Sequence, residues 1–159
     1  MHKKILLVGT ILSLALFSGC VLQQPTQKTS GETPTGASLN LSGQGLKNIP
    51  MDIFDRTALE SLDISNNQLT GAIPAEIRKL KNLKVLKANN NLMTGVPAEI
   101  GQLANLEILD LSNNKLTGLP YELGNLKNLR VLNLAGNKYS ELDLGIIRQS
   151  LTQTNFILK

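Results

Sequence analysis

Apolar residues follow two different patterns along this chain, and the change between them divides it in two. Residues 5–16, ILLVGTILSLAL, form an uncharged and mostly apolar run. From Leu39 onward, leucine and isoleucine instead alternate with polar residues over short stretches, as in Leu62-Asp63-Ile64. Because alternation puts the apolar side chains of a strand on one face, each of these stretches predicts a short β-strand with one buried face.

The short strands recur at a period of 23 or 24 residues, which predicts a repetitive architecture. One leucine of each period belongs to a column of Leu39, Leu62, Leu86, Leu109 and Leu132. Two further columns keep the same spacing, Pro50, Pro74, Pro97 and Pro120, and Asn67, Asn91, Asn114 and Asn137. Since a unit of this length cannot bury its leucine row alone, neighbouring units must stack into one continuous core.

The polar columns have structural interpretations that compete with functional ones. Each proline is followed two residues later by an acid, one of Asp52, Glu76, Glu99 and Glu122. This favours the start of a short convex helix, where an acid complements the helix dipole, and a metal-binding strip is the alternative. We expect the Asn67 column to be a buried structural ladder that bonds to turn backbone, rather than a set of ligand contacts. Asn82, Asn105 and Asn128 stand just before the strands, and we expect them to end the helices in the left-handed conformation.

The aligned units read L-x-x-L-x-L-x-x-N-x-L followed by L-P-x-x-I/L, as in LEILDLSNNKLTGLPYELGNLKN. This pattern resembles the leucine-rich repeat, and the LTGAIP turn of the second unit resembles plant-receptor and bacterial extracellular members of that family. The resemblance implies an α/β fold, a right-handed solenoid with a parallel concave sheet and short convex helices. About five repeats would fill a domain of residues 37–159.

The last segment of the chain departs from the repeat and predicts a C-terminal cap over residues 141–159. Leu144, Ile147 and Leu151 recur at helical spacing, and Phe156-Ile157-Leu158 then favours a strand. The segment is similar to the helix-plus-strand endings of bacterial members of the family.

The N-terminal run predicts an export signal over residues 1–19. It follows the basic Met-His-Lys-Lys and is shorter than the roughly 20 apolar residues of a spanning helix. Its end, Phe17-Ser18-Gly19-Cys20, resembles the lipobox of bacterial lipoproteins, which implies cleavage after Gly19 and acylation of Cys20. The chain would then be lipid-anchored to the bacterial cell membrane or outer membrane, facing the periplasm or the cell exterior. An ordinary secretory signal with an unused thiol is the alternative. Residues 20–36 predict a lipidated Cys20 and a disordered tether, since they hold almost no apolar side chains.

Composition excludes several classes of function. The formal charge is +4, and removal of residues 1–19 leaves 14 basic against 12 acidic side chains, too weak a bias for nucleic acid. The only histidine is His2 and the only cysteine is Cys20, so the usual nucleophilic triads and zinc ligand sets are missing. We therefore expect no enzyme, no metal and no cofactor. Aromatic residues are 3% of the chain, and Tyr121 and Tyr139 are predicted on different edges, which argues against a carbohydrate site.

Three rows of strand residues are predicted to face outward on the concave side. Two alternate in charge and should neutralise themselves across strands, Asn40, Asp63, Lys87, Asp110 and Asn133, and Glu60, Lys84, Glu107 and Arg130. Between them runs the row Ser38, Ser61, Val85, Ile108 and Val131. Its three aliphatic members either reflect strand propensity or form a contact strip rimmed by Lys87, Asp110 and Asn133.

The sequence therefore predicts a membrane-anchored, non-catalytic module that binds a protein or peptide at the cell envelope, most simply as a monomer. A structural scaffold without a discrete ligand, and less favourably a carbohydrate-binding protein, are the alternatives.

Overall fold

The structure is a computed structural model that describes residues 37–159. The predicted signal peptide, tether and acylated Cys20 lie outside the described residues. Strands occur at β1 (Ala37–Asn40), β2 (Leu59–Asp63), β3 (Thr70–Ala72), β4 (Val85–Lys87), β5 (Leu92–Gly95), β6 (Ile108–Asp110), β7 (Val131–Asn133) and β8 (Asn155–Ile157). Four 3-10 helices, η1 (Met51–Asp55), η2 (Ala75–Lys79), η3 (Ala98–Gln102) and η4 (Tyr121–Asn125), and one α-helix, α1 (Glu141–Ser150), complete the described part.

The predicted solenoid is confirmed, with one more strand in its sheet than the five repeats supply. The main sheet is parallel in the order β1-β2-β4-β6-β7-β8, and each strand adds to the one from the preceding unit. The sixth strand, β8, comes from the C-terminal segment after α1. A second, two-stranded sheet pairs β3 with β5, which follow the buried asparagines Asn67 and Asn91 in the repeat. The sequence did not predict this sheet.

The core is a stack of leucine and isoleucine side chains between the sheet and the 3-10 helices. Leu86, Leu109 and Leu132 are wholly buried, and Leu62 is 1% exposed. Burying one such side chain contributes about 1.5–3 kcal/mol. Phe54 fills the core near the first unit, where the repeat is least regular.

The proline column precedes the convex helices, as predicted. Each proline is the N-cap of a five-residue 3-10 helix, with its acid in the first turn. Helices η2, η3 and η4 then close at a leucine whose backbone N–H donates to the carbonyl of the apolar residue three positions back, as Leu103 does to Ile100, and η1 closes in the same way at Arg56. Short 3-10 turns suit this position because four or five residues must span the convex side of every coil.

The expectation for Asn82, Asn105 and Asn128 is wrong. The left-handed residues are Asn66, Asn90 and Asn113, with φ of 55°, 55° and 53°, and each stands three residues after the end of its strand. Asn82, Asn105 and Asn128 instead donate from Nδ2 to backbone carbonyls of the preceding unit, those of Thr57, Lys81 and Ala104. The prediction put the left-handed conformation at the ends of the helices, whereas it occurs in a different asparagine column, after the strands.

The two ends of the solenoid differ in how far their leucines are covered. At the first coil, Leu39, Leu41 and Leu46 are only partly buried. At the last coil, the predicted C-terminal helix α1 covers the core with Leu144 and Ile147, both wholly buried. Helix α1 also covers the last strand, β8, because the guanidinium of Arg148 in α1 lies 5.1 Å from the centroid of the Phe156 ring in β8.

Candidate functional site

The concave sheet brings the predicted aliphatic row into direct register. Val85 is paired with Ile108, and Ile108 with Val131, in successive parallel strands. Neighbouring strands lie about 4.8 Å apart, so the three side chains form a continuous ridge about 10 Å long. Toward the N-terminus the row continues as Ser61 and Ser38, and toward the C-terminus as Asn155. The aliphatic strip is therefore bounded by polar residues at both ends.

The strip is reachable from solvent. Ile108, at its centre, is 36% exposed, while Val85 and Val131 are half-buried. The next row carries Ile157, which is 39% exposed and is paired with Asn133. Sequence reasoning missed Ile157 as a surface residue, although it follows Asn133 by 24 residues and so keeps the repeat period. The apolar surface of the sheet thus extends one strand further than predicted.

The two charged rows of the concave sheet differ in whether their side chains form ion pairs. The outer row is Glu60, Lys84, Glu107 and Arg130, and the inner row is Asn40, Asp63, Lys87, Asp110 and Asn133. In the outer row, Lys84 Nζ lies 3.0 Å from Glu60 Oε2, and Arg130 Nη1 lies 3.7 Å from Glu107 Oε2. Both pairs join neighbouring strands, as the alternation of charge predicted. They are solvent-exposed pairs and contribute at most about 1 kcal/mol each.

The inner row forms no ion pair among the described residues, although the register places Lys87 between Asp63 and Asp110 of the neighbouring strands. Asp63 Oδ1 accepts hydrogen bonds from the backbone N–H and hydroxyl of Ser65, and Asp110 Oδ1 does the same for Ser112. These local turns occupy the carboxylates, since a serine stands two residues after each aspartate. None of the ion pairs within residues 37–159 involves Lys87, whose exposed ammonium stands next to the aliphatic strip.

The Asn67 column is a ladder that ties each coil to the one before it. Asn91 is 5% exposed, and its Oδ1 accepts from the backbone N–H of Leu69 in the preceding unit. Its Nδ2 donates to the carbonyls of Ile64, Ala88 and Asn89. Asn67, Asn114 and Asn137 repeat this arrangement with the corresponding backbone groups. These side chains bond to backbone groups of the turns, so they face the core and not a ligand.

The left-handed asparagines form a second ladder, at the surface. Asn90 Nδ2 donates to Asn66 Oδ1 over 2.8 Å, and Asn113 Nδ2 donates to Asn90 Oδ1 over 2.8 Å. The ladder ends at Gly136, which also has a positive φ and carries no side chain to continue it. Stacked amides of this kind bond to one another, so they contribute to joining coils.

The described residues show few features of catalytic chemistry. Within residues 37–159, His, Cys, Asp and Glu side chains do not gather into a group of three that could hold a metal ion. Burial raises the pKa of Tyr139 above its usual value; the nearby Glu141 acts in the same direction and Arg148 opposes it. Tyr121 is 54% exposed on η4 and donates to Asp143 Oδ1, so the two tyrosines do not form one site. No helix of the described part is long and apolar enough to cross a bilayer.

Comparison with known proteins identifies relatives for most of the described chain. Residues 38–154 match the family described as leucine-rich repeat region. The chain is similar to the structure of an LRR protein from Leptospira interrogans, with 33% identity and a TM-score of 0.60 over 75% of this chain and 36% of that one. It is also similar to the plant peptide hormone receptor RGFR1 in complex with RGF2, with 36% identity and a TM-score of 0.63 over 76% of this chain and 24% of that one.

A curated relative matches over a shorter stretch. Fifty residues, 31% of this chain, are 48% identical to the CCR4-Not complex 3'-5'-exoribonuclease subunit Ccr4 of Schizosaccharomyces pombe, and the match spans 7% of that protein. The chain thus spans a small fraction of this relative and well under half of either solved structure.

Proposed function

This chain belongs to the leucine-rich repeat family, and from that premise we propose that it is a non-catalytic module whose concave sheet binds an extended peptide or a protein loop. We further propose that a lipid on Cys20 holds it at a bacterial envelope, and that the bound segment lies across the strands. A rigid parallel sheet suits this task, because its outward side chains are held at defined spacings while neighbouring coils leave the concave side open.

The aliphatic strip is the observation that carries the binding proposal. Val85, Ile108 and Val131 form an apolar ridge in an otherwise polar sheet, and an apolar centre with a polar rim is the usual composition of a contact site. Lys87 adds an exposed ammonium beside the ridge, between Asp63 and Asp110 of the neighbouring strands, so the rim offers polar groups of both charges. The similarity to a peptide hormone receptor solved with a bound peptide supports the same mode of binding.

Nuclease activity is not part of the proposal. The match to Ccr4 spans 7% of that protein and consists of repeat sequence, which supports a shared fold and not a shared reaction. The described residues also lack a group of acidic side chains that could hold the metal ions of a phosphodiester-cleaving site.

The binding proposal is tested by Ile108→Asp. We expect this change to reduce capture of peptides from a random display library by at least about ten-fold, because it puts a charge at the centre of the apolar contact. The full chain would be immobilised in detergent micelles, and recovery of the selected peptides would be measured. Ile146→Asp is the matched control, since Ile146 is similarly exposed, at 40% against 36%, but lies on α1 away from the concave sheet. Equal recovery on the Ile108→Asp variant would exclude the strip as the binding site.

The membrane proposal is tested by mass spectrometry of the chain expressed in a bacterium. We expect the mature N-terminal residue to be Cys20, carrying the mass of a diacylglycerol and a further acyl chain, and the protein to partition into detergent. More than one acyl chain is needed for stable anchoring. Cys20→Ser should abolish both results. A free Cys20 thiol on a chain that fractionates with membranes would contradict the proposal.

A further inference from the structure

A cavity of about 430 Å³ opens at the edge of the concave sheet where the strands begin. It lies between the last repeats and the C-terminal segment, which closes one side with Gln153. The same segment is tied down there, because Thr154 Oγ1 donates to the carbonyl of Leu129 and the Asn155 backbone N–H donates to that of Arg130. The C-terminal segment therefore forms part of the wall of this cavity.

Cations predominate in its lining. Lys84, Lys127 and Arg130 line the cavity with a single carboxylate, that of Glu107, and Lys84 is paired with Glu60, which is not part of the lining. Lys127 Nζ donates to two neutral carbonyls, those of Gly124 and Ser150, which hold the ammonium in place without cancelling its charge. One of its three N–H donors is left for a ligand.

Arg130 is the most available of the three cations. Its side chain is 76% exposed, and its nearest acidic partner, Glu107, lies 3.7 Å away, beyond the usual length of a hydrogen bond. The guanidinium can therefore turn toward a ligand with its planar set of donors, which matches the two oxygens of a carboxylate.

The cavity adjoins the aliphatic strip. Lys84 directly precedes Val85, Glu107 precedes Ile108, and Arg130 precedes Val131, so the two features are formed by consecutive residues of the chain. A peptide that lays apolar side chains on the strip would bring a neighbouring residue to the mouth of the cavity.

We propose that this cavity is a carboxylate subsite, which gives the concave sheet a preference for peptides with an acidic group next to their apolar contact residues. This inference rests on the proposed function, since it names the ligand chemistry of the same surface. The carboxylate belongs either to an aspartate or glutamate side chain or to the C-terminus of the peptide.

The experiment begins with peptides that the full chain selects in detergent micelles. Each peptide is synthesised with its acidic side chain or the corresponding amide, and with a free or an amidated C-terminus. We expect loss of the carboxylate to weaken binding by about ten-fold, and Arg130→Gln to weaken binding of the acidic peptide to a similar degree. Together the two changes should weaken binding little more than either alone, because both remove the same interaction. Whether the side-chain amide or the C-terminal amide causes the loss identifies the source of the carboxylate.

Lys115→Gln is the matched control. It removes the same charge from an exposed side chain, but Lys115 follows its strand and lies at the opposite edge of the sheet. It should leave the preference for the acid intact. Selected peptides that show no acidic preference, yet lose binding with Ile108→Asp, would overturn the subsite while the proposed function stands. Failure to select any peptide, or binding insensitive to Ile108→Asp, would overturn both.

Discussion

Replacing Asn91 with alanine should lower the free energy of unfolding by about 2–3 kcal/mol. The substitution removes the Oδ1 acceptor and the Nδ2 donor of Asn91, which together form hydrogen bonds with four backbone groups in two coils. The side chain is 5% exposed, so water cannot replace it without opening the turn. The Leu69 N–H would be left buried without its side-chain partner, and the Ile64 carbonyl would keep only one of its two side-chain donors, Asn67 Nδ2. A buried polar group without a partner costs more than the bond itself contributes.

Urea titration followed by circular dichroism measures this effect. Asn90→Gly is the control, because Asn90 is the adjacent residue, bears the same side chain and is exposed in the second ladder. Glycine tolerates the φ of 55° at that position, so the control should cost less than about 1 kcal/mol. If both variants unfold at the same denaturant concentration as the parent, the buried ladder does not hold the coils together.

Gly101→Ala should lower the free energy of unfolding by about 2–3 kcal/mol, since overpacking typically costs 1–3 kcal/mol and here the obstacle is backbone. Gly101 lies in η3, where a methyl group would overlap the carbonyl oxygen of Glu122 and approach its Cβ to 2.8 Å. Glu122 belongs to η4, so the two convex helices would have to separate. The flexible end of a side chain could move aside, whereas a carbonyl held in a helix cannot.

The same substitution at Gly145 should have the opposite sign. Gly145 lies within α1, and a methyl group there would meet nothing within 4 Å. Alanine favours a helix interior over glycine by up to about 1 kcal/mol, so Gly145→Ala should raise stability. Thermal melts of the two variants under one set of conditions compare them directly. A Gly101→Ala variant that melts at or above the temperature of the parent would contradict a close contact between η3 and η4.

The regular part of the fold was predictable because one short pattern recurs five times. A leucine at each 23- or 24-residue step requires a neighbouring coil to cover it, so the spacing that locates Leu86 and Leu109 also specifies their register. The aliphatic strip followed from the same register, since Val85, Ile108 and Val131 precede the leucine column by one residue.

Features that depend on competition between neighbours were not predictable in this way. Asp63 and Asp110 could pair with Lys87 or with their own serines, and only the geometry after the strand decides that the serines are bound. The left-handed position could belong to Asn82 or to Asn90, because both are asparagines near a chain reversal. The cavity proposed as a carboxylate subsite is closed on one side by Gln153, which lies in the C-terminal segment before β8 and outside the repeat pattern.

The asparagine ladder has a direction, and this bears on the order in which the protein can be completed. Each buried asparagine supplies bonds to the coil that precedes it in the sequence, as Asn114 does for the Met93 N–H and the Ala88 carbonyl. A ribosome makes the earlier coil first, so the Met93 N–H leaves the tunnel before its partner exists, whereas the Ala88 carbonyl already accepts from Asn91 of its own coil. Each newly made coil therefore completes its hydrogen bonds only when the next coil has been made. The last repeat is completed by the C-terminal segment, where the Leu134 N–H donates to the Ile157 carbonyl.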